Sequence, residues 1–423
     1  MSWEGWFEYD GVEIINVART EAYARWDSAG WFRSTYNYPE LGLILGQGSY
    51  KTPMLDSAPW YDENVPESQG FYGLYPLRVS GLDDSTRQST VVEHLSHGGN
   101  PGRLRMATRQ VVFSAVLLAN TEAGAQFGLN WLKRVLEGGD CMNDPGCNGS
   151  ELRFFSSIPG WDPAVGTDCA DDYLRALHRV VVNSGPTVSN RTLMSDGTSM
   201  AWTVSFTAVA GLPAIYGPIE PIVGDMFGVS DPVLGDGVTV NDDTPVTTAQ
   251  VDCPAVAYQP VYDPNCPAVV SPPQPPDVAI GCFAPPDSWY RYSISIPASL
   301  SALWTKVVPQ LVVTSPATAD VRNMRIRFYV TDPTTDACGF IGDLLIGYIP
   351  MSGILSIDGV EESVLYSGAA GVVVADSLIF SSDGGPFDWP VIACGSDITV
   401  TIDFESITDL PSLDLTLVGR ENA

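Results

Sequence analysis

Along much of this chain polar and apolar residues alternate with a period of two, the spacing of strands that bury one face. "VRNMRIRFYV" sets Met324, Ile326, Phe328 and Val330 on one side and Arg325 and Arg327 on the other. "SDITVTIDFE" puts Ile398, Val400, Ile402 and Phe404 inside, with acids and threonines outside. "PSLDLTLVG" repeats the pattern at Leu413, Leu415 and Leu417. No helical stretch separates these runs, so they predict an antiparallel β-sandwich over residues 284–423.

The N-terminal part reads as β with one helix. "GWFEYDGVEIINVAR" is two strand-like runs around Asp10-Gly11, a hairpin signal. Residues 30–80 are rich in glycine, proline and aromatics, with "NYPELG" and "SAPWYDENVPES" as loops. "RLRMATRQVVFSAVLLA" predicts one long strand, with Arg103, Arg105 and Arg109 on the same parity. "NTEAGAQFGLNWLKRVLEGG" predicts the clearest helix. Asn120 or Thr121 can cap it, Glu122 suits its positive end, and Gly138 can end it. Phe127, Trp131 and Val135 recur along it every four residues. "ALHRVVVNSGP" and "MAWTVSFTAVAGLP" follow as strands, the second with Trp202, Val204 and Phe206 on one face.

Near Gly217 sustained periodicity stops, and the stretch that follows ends in "SPPQPP", a polyproline-like spacer. The 423 residues exceed one ordinary core. The expected division is residues 1–217, a linker over 218–283 laid along a surface, and residues 284–423.

Charge narrows the function classes. Fifty acids against 21 bases give a net charge of −29. Such a chain repels phosphate and anionic lipid, so a sequence-specific nucleic-acid partner and membrane insertion are not expected. Only Lys51, Lys133 and Lys306 are lysines; every other base is arginine. A GC-rich coding genome is the plainer reading of that bias, and forked guanidinium contacts at interfaces the sharper one. The start lacks a basic region followed by an apolar run, and no apolar run reaches 18 residues. Synthesis in the cytoplasm without export by the usual route is the expectation. Eight cysteines sit oddly with that. Turn-rich spacers separate Cys141 from Cys147 and Cys253 from Cys266, and Cys338 and Cys394 complete the candidate disulfide residues. A protein made inside a cell and later working outside one reconciles these facts.

Catalytic chemistry finds little support. In "EHLSHGGN" the order is Glu93, His94, His97, with a spacing of three and the glutamate outside. A zincin needs two histidines four apart on a helix with the glutamate between them, and the glycines that follow forbid that helix. His178 shares strand parity with Val180 and Val182, as a core or interface histidine does. Walker A and G-x-S-x-G patterns are missing. No catalytic, metal or cofactor residues are therefore assigned. Two groups can serve binding. Arg103, Arg105 and Arg109 form a basic stripe that complements an acidic neighbouring subunit, unless they are simply a solvated strand face. Trp289, Tyr290 and Trp389 are a candidate glycan platform, unless they fill the ends of a sandwich.

"YDGVEIINVART", "HGGNPGRLRMATRQVVFSAVLLANTEAGAQFGLNWLKRVLEGG", "CNGSELRFFSSIP" and "SSDGGPFDWPVIACGSDITVTIDF" resemble segments of minor tail proteins of long-tailed phages of actinobacterial hosts, above all the distal tail protein. The resemblance covers both ends and skips most of the linker. It implies a mainly β protein: an N-terminal β-sandwich-like ring domain with one helix and a hairpin, then a C-terminal galectin-like or carbohydrate-module-like sandwich. It implies a structural, non-enzymatic role in the virion tail tip, as a hexameric ring joining the tail tube to the tail-tip hub and letting DNA pass. The partners it implies are other copies of the chain, the tail tube protein, the hub, the tape measure protein and a host glycan. A ring crossed by DNA should not bind it, and a negative lumen is the expected means. The alternative is a glycan-binding adhesin that contacts the host envelope through its last domain.

Overall fold

The computed structural model describes all residues except 1, 27–37, 39, 85, 94–98, 104, 139–148, 160–171, 228–232, 236, 248–287, 301–305, 331–338, 370, 382–386, 388, 394, 405–409 and 422–423. The fold is mainly β with antiparallel sheets. The chain divides into two compact units. Met1–Pro218 and Arg420–Ala423 make unit 1, and Ile219–Gly419 makes unit 2.

Unit 1 begins as the sequence predicts. Trp6–Tyr9 and Val12–Asn16 pair as a hairpin. Asp10 and Gly11, with φ of 52° and 74°, make the left-handed turn that matches strand twist. The chain then becomes helical over Val17–Trp26, a helix the alternation does not predict. Asn16 explains the switch: its side-chain Oδ1 accepts from the Arg19 N–H at 3.0 Å, as a helix N-cap does.

A further correction concerns the long arginine-bearing strand, which is interrupted. Arg105–Met106 is a short strand, and a separate strand runs Arg109–Ala119. Residues 71–80, to which the sequence reading assigns no element, form the strand Phe71–Ser80, which pairs with Arg109–Ala119. Seven strands then lie side by side in the order Phe71–Ser80, Arg109–Ala119, Met200–Ala210, Leu174–Leu193, Ser150–Phe155, Trp6–Tyr9, Val12–Asn16. The run folds back on itself. Phe7 meets Phe113 edge-on at 5.1 Å, Phe113 stacks on Phe206 at 4.6 Å, and Phe7 stacks on Phe154. That aromatic centre closes a sandwich.

The helix Glu122–Leu136 is capped by Thr121, which accepts from the Gly124 N–H at 3.1 Å, and Gly138 follows its end at φ 68°. Its buried stripe is Ala125, Leu129, Leu132 and Leu136; Phe127, Trp131 and Val135 flank that stripe half-buried. Gly128 is small by necessity, because a Cβ there would stand 2.4 Å from the Phe71 ring.

Unit 2 is an antiparallel sandwich. One sheet runs Thr239–Thr247, Ser288–Ile296, Ile398–Phe404, Val321–Tyr329, Phe340–Ile349, Ile379–Phe380. In the other, Ser412–Glu421 and Lys306–Thr314 lead to Ile354–Asp358, Ser363–Gly368 and Gly371–Val374. Ile294, Ile326, Leu344, Val400 and Ile402 of the first meet Leu311, Val313, Leu355, Leu413 and Leu415 of the second in one core. The linker expected from residue 218 is corrected in its first part. Ile215–Met226, Val233–Leu234 and Thr239–Thr247 are strands, and Ile222, Val223, Met226 and Val238 enter this core. Residues 248–287, with "SPPQPP", lie outside the described residues.

Candidate assembly surface

The strand Leu174–Leu193 is paired on both sides only over its first part. Residues 174–180 bond Ser150–Phe155, whereas 180–193 bond only Met200–Ala210 among the described residues. Among the described residues this long stretch is therefore a sheet edge, with one row of backbone groups facing no strand. A bulge makes the division. Arg179 has φ 54°, and the register with Ser150–Phe155 shifts between Leu177 and Val180. His178 sits there, half-buried, with its ring edge-on to Tyr216 at 5.1 Å. Three further register shifts follow along the edge. Its apolar side chains Val181 and Leu193 are 45% and 56% exposed. The hairpin closes at Asp196-Gly197, where Asp196 accepts from the Thr198 and Ser199 N–H groups. Arg191 lies over the Trp202 ring at 4.3 Å and stiffens the edge.

An open cleft of about 580 Å³ lies beside this edge, lined by Tyr9, Lys133, Leu136, Val181, Val182 and Pro186 among others. On the far side of the sheet, Phe71–Ser80 bonds only Arg109–Ala119 among the described residues, and its last part, from Leu77, is exposed or half-buried. The sheet thus ends in two unlike edges.

The predicted arginine stripe separates in the structure. Arg103 and Arg105 are exposed. Arg109 is fully buried: its Nη1 donates to the carbonyls of Gly81, Leu82 and Asp84 at 2.8, 2.7 and 2.9 Å, and its Nε to Pro213 at 2.9 Å. Burial lowers its pKa, with Asp84 and Asp83 opposing. Arg109 ties the turn after Phe71–Ser80 to the end of Met200–Ala210, and it shares no surface with the other two.

A second buried charge holds the opening of unit 1. Arg19 Nε meets Glu13 Oε1 at 2.8 Å, and Glu13 Oε2 also accepts from Trp6 and Asn16. Arg19 reaches Gln47 and the Tyr23 hydroxyl and lies 4.5 Å from the Tyr50 ring centre. Burial works against its charge, but Glu13 and the tyrosines outweigh it, so its pKa is raised. This network fastens hairpin, helix and the 47–50 loop together.

Unit 2 carries a charged layer on the arginine-bearing face of Val321–Tyr329. Arg325 and Arg327 are 5% and 1% exposed, and both bond Asp343. Asp403, also buried, takes both arms of Arg291 at 2.6 and 2.9 Å. The strand register sets Asp403 between Arg291 and Arg325, so neighbouring strands alternate in sign.

Trp289 sits opposite Val246 in the register of Ser288–Ile296, and Tyr290 is half-buried. Trp389 is half-buried against the core, edge-on to Phe387 at 5.1 Å. Cys141, Cys147, Cys253, Cys266, Cys338 and Cys394 lie outside the described residues, as do His94 and His97. Glu93 opposes Gly99 in a short hairpin, so "EHLSHGGN" spans a strand connection. Among the described residues no group of three or more His, Cys, Asp or Glu is placed to hold a metal, and no helix is long and apolar enough to cross a membrane.

The open edge 180–193 is the feature that sequence reasoning missed. Its signal was present: the strand runs 20 residues without an acid in a chain holding 50 of them. No known family profile matches the chain, and no curated protein matches it. Among solved structures the chain is similar to one described as SPP1 Dit, a paradigm of the hub adsorption apparatus in phages infecting Gram-positive bacteria. The identity is 10%, over 84% of this chain and 94% of that chain, with a TM-score of 0.38.

Proposed function

We propose that this chain is a structural protein of a phage tail tip. Six copies form a ring that joins the tail tube to the hub and passes DNA. The observation that carries the reading is the open edge at residues 180–193, taken with the resemblance of the sequence segments to distal tail proteins. A sheet with two unlike open edges associates head to tail, and head-to-tail contacts close into a ring when the rotation per copy permits. Val181, Leu193 and the adjacent cleft give the joint apolar area. Arg103 and Arg105, exposed in a chain of net charge −29, are suited to meet an acidic neighbour.

The test is the mass of the purified full-length chain in solution, with negative-stain images of the same sample. A ring near six times 45.4 kDa supports the reading. A monomer across the accessible concentration range overturns self-assembly. The variant Val181→Lys with Leu193→Lys should lose the ring and keep the monomer's melting temperature, since both side chains are exposed. Arg105→Glu tests the basic contact: unchanged assembly removes that residue from the interface.

A further inference from the structure

The bare face of the same sheet is as unusual as its edge. The strands Arg109–Ala119, Leu174–Leu193 and Met200–Ala210 contain no aspartate or glutamate, although acids are 50 of the 423 residues. Met200–Ala210 has no charge of either sign. One face of these strands packs inward through Phe113, Val204 and Phe206. The other presents Ser114, Ser205 and Thr187 in one register row and Val116, Thr203 and Asn190 in the next. Those six side chains are partly or fully exposed. On the flanking strand Arg78 stands opposite Ser114 at the rim. The other sheet of this unit differs: Glu8, Glu151 and Arg153 pair across its surface.

Such a face is poorly made for holding anything. Protein interfaces rely on aromatic, methionine and arginine anchors, and serine, threonine and valine contribute little to them. DNA retention needs lysine or arginine for phosphate, or aromatic rings for bases.

Geometry says where the face lies if copies join edge to edge. The inward face carries the rest of unit 1, with Phe7 and Phe154 packed on it. In a closed ring of edge-joined sheets the bulkier side takes the larger radius, so the bare face takes the smaller. We infer that this serine, threonine and valine face lines the ring's channel, and that duplex DNA passes over an uncharged hydroxyl wall and not an acidic one. The inference rests on the ring reading above. A wall without charged groups offers phosphate no ion pair and adds no charge repulsion at close range.

The experiment labels the ring. Ser205 is replaced by azidophenylalanine in the full chain, coupled to a cyclooctyne gold cluster, and imaged after the unlabelled ring has been confirmed by mass. Gold on the symmetry axis, with ring mass unchanged, is the expected result. Gold on the outer rim overturns the inference while leaving the ring intact. Loss of the ring with an unchanged melting temperature also overturns it, because the face would then be a contact between copies. Should the substitution at 205 harm folding, Thr203 takes the label; it is partly exposed on the same face, between Asn190 and Val116 in the next register row. An unlabelled chain that forms no ring removes the ring reading itself, and the inference with it.

Discussion

Arg109 shows how far parity alone reaches. Its place on a strand is plain in the sequence, but its burial follows from carbonyls that other segments bring to it. Its fork serves several acceptors at once, which an ammonium does not match. Arg109→Lys should therefore lower unfolding free energy by roughly 2–3 kcal/mol, measured by urea denaturation. Breaking the Glu13–Arg19 pair is expected to do more. Glu13→Gln leaves a buried guanidinium short of its counter-charge and should cost about 3–5 kcal/mol. Glu21 gives a pH signature. Burial raises its pKa, with Arg25 opposing, and its Oε1 is buried without a hydrogen-bond partner. A carboxyl whose folded pKa is raised binds its proton more tightly when folded. Its contribution is fully present below the unfolded pKa and is lost as pH rises through the folded one. Urea midpoints over a pH series should show wild type losing stability relative to Glu21→Gln from the ordinary glutamate value upward. A constant difference would remove Glu21 as the cause.

Elements were legible where one face alone is buried. Met200–Ala210 alternates as read, because its other side is partly exposed, whereas Ile398–Phe404 buries Thr401 and Asp403 as well, against the expectation that its threonines and acids lie outside. Val321–Tyr329 alternates too, yet both its faces are buried, and the second is reached only because Asp343 and Asp403 supply charge to the arginines. No pattern within a single strand reveals that layer, since its partners come from other strands. The helix Val17–Trp26 was hidden for another reason: "VARTEAYARW" follows directly on strand residues, and only Asn16 marks the change. Glu122–Leu136 was legible from its cap. Thr121→Ala should cost about 1 kcal/mol in thermal or urea unfolding, through loss of the bond from Gly124.

At the scale of the whole molecule, the sequence shows two β regions but not where the second begins. Residues from 219 onward supply Ile222, Val223, Met226 and Val238 to the second core, although the sequence there lacks sustained alternation and is rich in proline and acids. A fragment of residues 284–423 lacks those side chains. It should unfold without cooperativity, whereas Ile219–Gly419 should give one sharp thermal transition by calorimetry. Any search for glycan binding by this region is accordingly made on the full chain.

The chain leaves unit 1 after Pro218 and returns to it at Arg420, where Glu421 pairs with Arg175 at 2.9 Å. Unit 2 is thus an inserted loop of folded chain held by two covalent crossings. A cut at either crossing divides the backbone in two, but unequally: after Pro218 it leaves unit 2 covalently continuous only with residues 420–423, and before Arg420 it leaves unit 2 covalently continuous with residues 1–218. After the first of these cuts the hold of residues 420–423 on unit 1, Glu421 on Arg175 included, decides whether unit 2 is shed; after the second cut the peptide link at Pro218 still retains it.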